Sequence, residues 1–218
     1  MAESWHEVVE LLAPYVVRIW TPQGSGTGFL VSNSKQSPLC GIATAEHVIS
    51  HAHYWEEPIR IEHQISGRTI LLRHEQRAIT AHSASDTAAI VFERGVLEFP
   101  EDVLPLTPKE KHFKPGVELG WLGYPAIPRA SLCFFSGHVS AWLEAEGAYL
   151  VDGVAINGVS GGPAFITEQM LIGVVSAYIP NRATGEPLPV SVSSFVSITL
   201  RLRGGTCWRA PSRPSVGV

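Results

Sequence analysis

Aspartate is scarce in this chain of 218 residues. There are three, Asp86, Asp102 and Asp152, with none before position 86 and none after position 152. Histidine stops early as well: the last one is His138. Cys40, Cys133 and Cys207 are the only cysteines, odd in number and sparse, a usage that fits a reducing compartment. No apolar run approaches the roughly 18 residues that a membrane-spanning helix needs. No Lys/Arg cluster stands out before the tail; with a net charge of −4 and a pI near 6.1, this argues against nucleic acid or an anionic membrane as the main partner. The opening Met1-Ala2-Glu3-Ser4-Trp5-His6-Glu7 is acidic and has neither the charged n-region nor the apolar h-region of a signal peptide. A cytoplasmic location is the expectation.

Against these absences stands Asn157-Gly158-Val159-Ser160-Gly161-Gly162-Pro163, a serine packed among glycines. A serine hydroxyl is a poor nucleophile at neutral pH, so it needs an adjacent base, and the base needs a group to orient it. Attack on a carbonyl further requires backbone N–H groups aimed at the developing oxyanion, which a glycine turn can present. Two earlier segments offer the missing groups, Thr44-Ala45-Glu46-His47-Val48 and Ser85-Asp86-Thr87-Ala88. Chain order decides between architectures. The G-x-S-x-G elbow of α/β-hydrolases places its acid and histidine after the serine, and here neither residue type follows Ser160. The subtilisin order needs an Asp before the histidine, and none precedes His47. What remains is His47, Asp86, Ser160, the order of chymotrypsin-like β-barrel peptidases. Asp86 alone of the three aspartates precedes an alternating small and apolar run, Ala88 to Phe92, that would seat it on a buried strand.

The rest of the chain reads as many short strands punctuated by Gly and Pro. Ser4 and Glu7 form a capping box ahead of a short amphipathic helix that ends at Pro14. Tyr15–Trp20 and Phe29–Val31 read as a hairpin with the Gly-rich stretch as its turn. Cys40–Thr44 is the strand expected to carry His47, followed by strands at Ile59–Ile65, Thr69–Leu72, Ala78–Ala81 and Ala88–Phe92. The proline-rich stretch from Phe99 to Gly116 is the best linker candidate. Strands recur at Glu118–Leu122, Leu132–Trp142, Tyr149–Asp152, Ala164–Thr167 and Met170–Ala177. At 45% hydrophobic residues and a mean hydropathy of +0.13, the composition suits a well-filled core, large enough for two small barrels.

The three segments, together with Gly24-Ser25-Gly26-Thr27-Gly28-Phe29-Leu30-Val31 and Leu171-Ile172-Gly173-Val174-Val175-Ser176, resemble the trypsin-like, chymotrypsin-fold serine peptidases, most closely their compact bacterial, HtrA-type catalytic domains. The resemblance covers roughly residues 15 to 200. It implies an all-β fold of two six-stranded antiparallel β-barrels with a short N-terminal helix. The expected division is an N-terminal helix (1–14), a first barrel with His47 and Asp86 (15–100), a linker (101–116), a second barrel with Ser160 (117–203) and a disordered tail (204–218). Ser193 to Arg203 stays open, because alternation favours a strand and the resemblance a closing helix.

The resemblance also implies roles. Ser160 is the nucleophile, His47 the general base and then acid, Asp86 the residue that orients His47, and the N–H groups of Gly158 and Ser160 the oxyanion hole. Val159 departs from the zymogen-activated relatives, which have at this position an aspartate that pairs with a freed N-terminus; some other device must shape the hole, or a partner sets it. Val48 stands where secreted relatives carry a cysteine after the histidine, so their usual disulfide is absent. By position, the specificity pocket would have Val154 at its base and Ser176, Ala177 and Tyr178 along a wall, which suggests a small or medium apolar P1 residue. His51 and His53 follow His47 closely but read as solvated loop histidines rather than zinc ligands, so no metal or cofactor is expected. The function implied is a serine endopeptidase acting on protein or peptide substrates, with an activating protein partner as one route of control. The alternative is a catalytically silent peptide-binding module on the same fold.

Overall fold

The computed structural model describes residues 4–33, 37–102, 104–108, 112–128, 131–154, 156–180 and 187–194; side chains are described as far as Ser176, and at Val192. The chain begins with α1 (Trp5–Leu12), closed at its N-terminus by the expected capping box. Ser4 Oγ accepts the Glu7 N–H at 3.4 Å, and the Glu7 carboxylate accepts the Ser4 N–H at 2.9 Å. Seven strands follow: β1 (Val16–Thr21), β2 (Gly24–Ser32), β3 (Leu39–Ala45), β4 (Ile59–His63), β5 (Arg68–Leu72), β6 (Arg77–His82) and β7 (Thr87–Glu93). They form one antiparallel sheet in the order β5-β4-β1-β2-β3-β7-β6. The second half closes into a six-stranded barrel, β10-β13-β12-β11-β8-β9, from β8 (Glu118–Gly123), β9 (Cys133–Leu143), β10 (Ala148–Val151), β11 (Pro163–Phe165), β12 (Leu171–Pro180) and β13 (Pro187–Ser194).

The two-barrel architecture expected from the sequence is therefore present, with one difference in strand count. The first half has seven strands, not six, and its edges β5 and β6 are not joined by a ladder among the described residues. The Arg77 side chain links the start of β6 to the end of β5 and to the segment between β3 and β4: its guanidinium donates to Leu72 O at 2.7 Å, Ala52 O at 3.0 Å and Glu57 O at 2.6 Å.

Two local readings change as well. The Gly-rich stretch is not a turn but the start of β2, paired residue for residue with β1 (Thr21↔Gly24, Ile19↔Gly26, Val17↔Gly28). The histidines after His47 lie not in a loop but on a second helix, α2 (Glu46–Tyr54). Of the open C-terminal stretch, residues up to 194 are strand; 195–203 and the tail 204–218 lie outside the described residues.

Each half has its own apolar filling, and α1 joins them. Val8 and Leu12 are fully buried in a cluster shared by β1–β3 with Leu122, Phe165 and Val174 of the second half. Trp5 packs edge-on against Phe165 at 5.9 Å and tilted against Phe134 at 5.3 Å, over the bare backbone of Gly120. Among the described residues no helix is long and apolar enough to cross a membrane.

His63 ties β4 to the turn that follows α1. Its Nε2 lies 2.9 Å from Pro14 O and its Nδ1 2.8 Å from Ser66 Oγ, with the residue 1% exposed. A carbonyl only accepts, so the neutral ring donates from Nε2 and accepts at Nδ1. Burial holds the His63 pKa below its ordinary value, the Pro14 bond opposing. The unfolded chain then takes up the proton first, so stability is full above about pH 6.5 and is lost as pH falls below it. Thermal melts of wild type should decline from pH 7.5 to 5.5, and melts of His63→Leu, lower throughout, should show less of that slope. Equal slopes would count against this role for His63.

Candidate active site

Strand register explains how residues far apart in sequence meet. β3 and β7 pair with Ala45 opposite Thr87. The residues just beyond β3, Glu46 and His47, therefore lie beside Asp86, which immediately precedes β7. Asp86 is held at φ 46°, ψ 45°, a left-handed conformation that aspartate tolerates better than most residues. It makes three contacts with the start of α2. Its carbonyl accepts the Glu46 N–H at 3.1 Å, its Oδ1 the His47 N–H at 2.9 Å, and its Oδ2 lies 2.7 Å from His47 Nδ1. Ala45, the N-cap residue, has no side-chain cap to offer, so Asp86 caps the helix from outside.

A third donor reaches the carboxylate: Ser176 Oγ donates to Asp86 Oδ2 at 2.5 Å. Burial pulls the Asp86 pKa up, but the bonds from the His47 ring, the Ser176 hydroxyl and the His47 N–H outweigh it, and the carboxyl sits below its usual value. The exposed start of α2 adds in the same direction, because a helix N-terminus favours negative charge. An ionised carboxylate only accepts, so the proton of neutral His47 resides on Nδ1 and Nε2 is left free to act as a base.

The Ser160 loop is delivered to this pair by the second half. The Gly161 N–H donates to Val175 O at 2.6 Å and the Val175 N–H to Gly162 O at 2.9 Å; Ser176, next along β12, is the residue on Asp86. On the other flank, Ser160 O accepts the Thr27 N–H at 2.8 Å. A Cβ on Gly26 would lie 2.6 Å from a Val48 methyl and 3.1 Å from Ser160 O. Val48, the neighbour of His47, thus packs onto β2 where a disulfide was expected to be missing. Ser160, His47 and Asp86 are brought to one locus at the junction of the halves. The Ser160 hydroxyl makes no hydrogen bond among the described residues.

Every carbonyl from Asn157 to Ser160 is engaged. Asn157 O accepts the Ala126 N–H at 2.6 Å, Gly158 O the Thr27 hydroxyl at 2.8 Å, Val159 O the Gly162 N–H at 3.0 Å, and Ser160 O the Thr27 N–H. The N–H groups of Gly158 and Ser160 have no acceptor among the described residues. Gly158 takes φ +93°, and a Cβ there would lie 2.5 Å from Tyr124 O, so only glycine fits.

Of the carried-over pocket residues, Ser176 turns its hydroxyl onto Asp86 and is 5% exposed. Val154 is 61% exposed. The side chains of Ala177 and Tyr178 lie outside the described residues. Nearby Asp152 is occupied, accepting the His138 N–H and lying 3.5 Å from the His138 ring. His51 pairs with Glu57 at 3.0 Å, and among the described residues no three potential ligands converge on a metal position. Two residues that sequence reasoning passed over are Thr27 and the supporting role of Ser176. Thr27 shares its setting, a hydroxyl between two glycines, with Ser25, so no signal in the sequence singled it out.

The two antiparallel β halves, a seven-stranded sheet and a closed six-stranded barrel, fit the chymotrypsin-type two-barrel fold. Solved structures similar to the chain include the serine endoprotease from Yersinia pestis, with a TM-score of 0.65 and 21% identity over 88% of this chain and 63% of that one. An inactive-form mutant of Rv3671c from M. tuberculosis gives a TM-score of 0.61 at 17% identity, covering 86% of this chain and 84% of that one. Deg5 gives 0.60 at 19%, covering 79% and 83%. At these identities the shared property is the fold. No family model matches the sequence, and no curated protein does.

Proposed function

We propose that the chain is a serine endopeptidase acting through an acyl-enzyme at Ser160. The observation that carries this reading is the His47 Nδ1–Asp86 Oδ2 pair at 2.7 Å, seated beside the Ser160 loop with its Nε2 unengaged. Ser160 Oγ attacks the peptide carbonyl while His47 Nε2 takes its proton, and the oxyanion is met by the N–H groups of Gly158 and Ser160. As the tetrahedral adduct collapses, the C–N bond breaks and His47 returns the proton to the departing amine. Water, activated by the same nitrogen, then releases the acid and regenerates Ser160. Asp86 stays ionised and holds the ring. The two-barrel division belongs to the same proposal: the first half supplies base and carboxylate, the second the nucleophile.

The silent peptide-binding alternative draws on one observation, the Ser160 hydroxyl without a hydrogen bond. A fluorophosphonate probe separates the two readings, since it reacts with an activated serine and not with an ordinary one. Wild type should be labelled, and Ser160→Ala and His47→Ala should not be. Labelling that persists in His47→Ala would discard the triad assignment, and no labelling of wild type would favour the silent module.

A further inference from the structure

We propose that Thr27 is the positioning residue that keeps the Gly158–Ser160 turn in its donor-presenting shape, so that the oxyanion site stands formed without chain cleavage or an activating partner. This rests on the peptidase reading above. In a trans peptide the N–H points away from the carbonyl of the preceding residue. Holding Asn157 O on the Ala126 N–H therefore aims the Gly158 N–H the opposite way, and holding Val159 O on the Gly162 N–H does the same for the Ser160 N–H. Between those two peptide planes lies the Gly158 carbonyl. Gly158, at φ +93°, has no side chain to restrain it. Its peptide is held on the N–H side within the loop, Val159 N–H to Ile156 O at 3.1 Å, and on the carbonyl side from the first half: the Thr27 hydroxyl donates to Gly158 O at 2.8 Å.

Thr27 is fully buried, and its polar groups are all committed. Its hydroxyl oxygen accepts the Tyr124 N–H at 2.9 Å, its carbonyl accepts the Thr44 hydroxyl at 2.7 Å, and its N–H holds Ser160 O. One residue of β2 thus grips the turn on both sides of Val159 and is itself braced from β3 and from the end of β8. Val159 completes the hold from within: it is fully buried, and its methyl would lie 2.7 Å from a Cβ on Gly123. The position that in zymogen-activated relatives awaits a charge partner is here already packed.

The test compares Thr27→Val, which keeps shape and removes the hydroxyl, with Thr27→Ser, which keeps the hydroxyl. Peptide kcat and KM, affinity for a peptide aldehyde that forms a tetrahedral adduct, and melting temperature are measured for each. Thr27→Val should lose on the order of 10²-fold in kcat, the size of one oxyanion donor, and as much in aldehyde affinity, with KM within about threefold. Thr27→Ser should stay within about threefold of wild type in all three kinetic quantities. A folded Thr27→Val with wild-type kcat overturns the proposal, as does a Thr27→Ser that loses as much as Thr27→Val. Should Thr27→Val fail to fold, Thr27→Ser decides alone: retained turnover supports the role and lost turnover overturns it. A purified wild type that neither hydrolyses peptides nor reacts with fluorophosphonate overturns the peptidase reading and the claim of a ready-formed site together.

Discussion

Replacing Ser160 or His47 by alanine is expected to lower kcat on a peptide substrate by about 10⁶-fold, and Asp86→Asn by about 10⁴-fold. Combining them should cost little more than the worst single change, because nucleophile, base and carboxylate act as one unit. The Asp86 expectation follows from its contacts. An asparagine keeps the size, but its amide nitrogen can meet His47 Nδ1 only as a donor, which forces the ring proton onto Nε2 and removes the base. If instead the amide oxygen faces the ring, its nitrogen is turned toward the His47 N–H and the Ser176 hydroxyl loses its charged acceptor. KM should change little, since none of these groups reaches past the reacting atoms. Steady-state kinetics with active-site titration read the outcome, and an Asp86→Asn enzyme with wild-type kcat would sink the assignment of Asp86.

Gly161→Ala should be among the most damaging single methyls at the described glycines. Gly161 sits at φ +90°, and an added Cβ would collide with the Thr27 carbonyl and the Thr44 hydroxyl and lie 3.1 Å from Ala45 N. All three atoms belong to the first half, in the strands that set Thr27 and His47, so the neighbours cannot yield without parting the halves. Backbone strain and overpacking together are expected to cost about 3–5 kcal/mol, and to lower the melting temperature by about 10 °C for a chain of this size. Gly67→Ala is the control: its φ is +68°, but nothing lies within 4 Å of the added Cβ, so about 1–2 kcal/mol of left-handed strain is all it should carry. Urea midpoints of the two variants that coincide would show that the junction is softer than its geometry indicates.

The contrast between these glycines also shows what was readable beforehand. His47, Asp86 and Ser160 stood out because chain order and the scarcity of aspartate left one arrangement. The two-barrel fold followed from the strand rhythm and the resemblance together. Helix α2 was missed because its N-cap is an alanine and its cap arrives from Asp86, 39 residues downstream; no local signal marks such a start. The glycines of β2 were read as a turn because glycine usually is one. They are extended because the Val48 side chain and the Ser160 loop press against that strand, a fact of packing between halves. Thr27 and the bond from Ser176 to Asp86 escaped for the same reason, each acting on a group in the opposite half.

The Asp86 bracket has a mechanical meaning. Three contacts, two on successive backbone N–H groups of α2 and one on the His47 ring, locate the helix end as a three-point mount locates an instrument: enough to define its orientation, with none redundant. The aim of the imidazole is then not set by one side-chain torsion but is inherited from the seating of the whole helix, which must hold to about 10–20° for the base to meet its target. The opposite side of that seat is Ile49 and Ala52, both buried against the first half. The seating of the helix, and with it the His47 ring, is therefore set from behind, by Ile49 and Ala52.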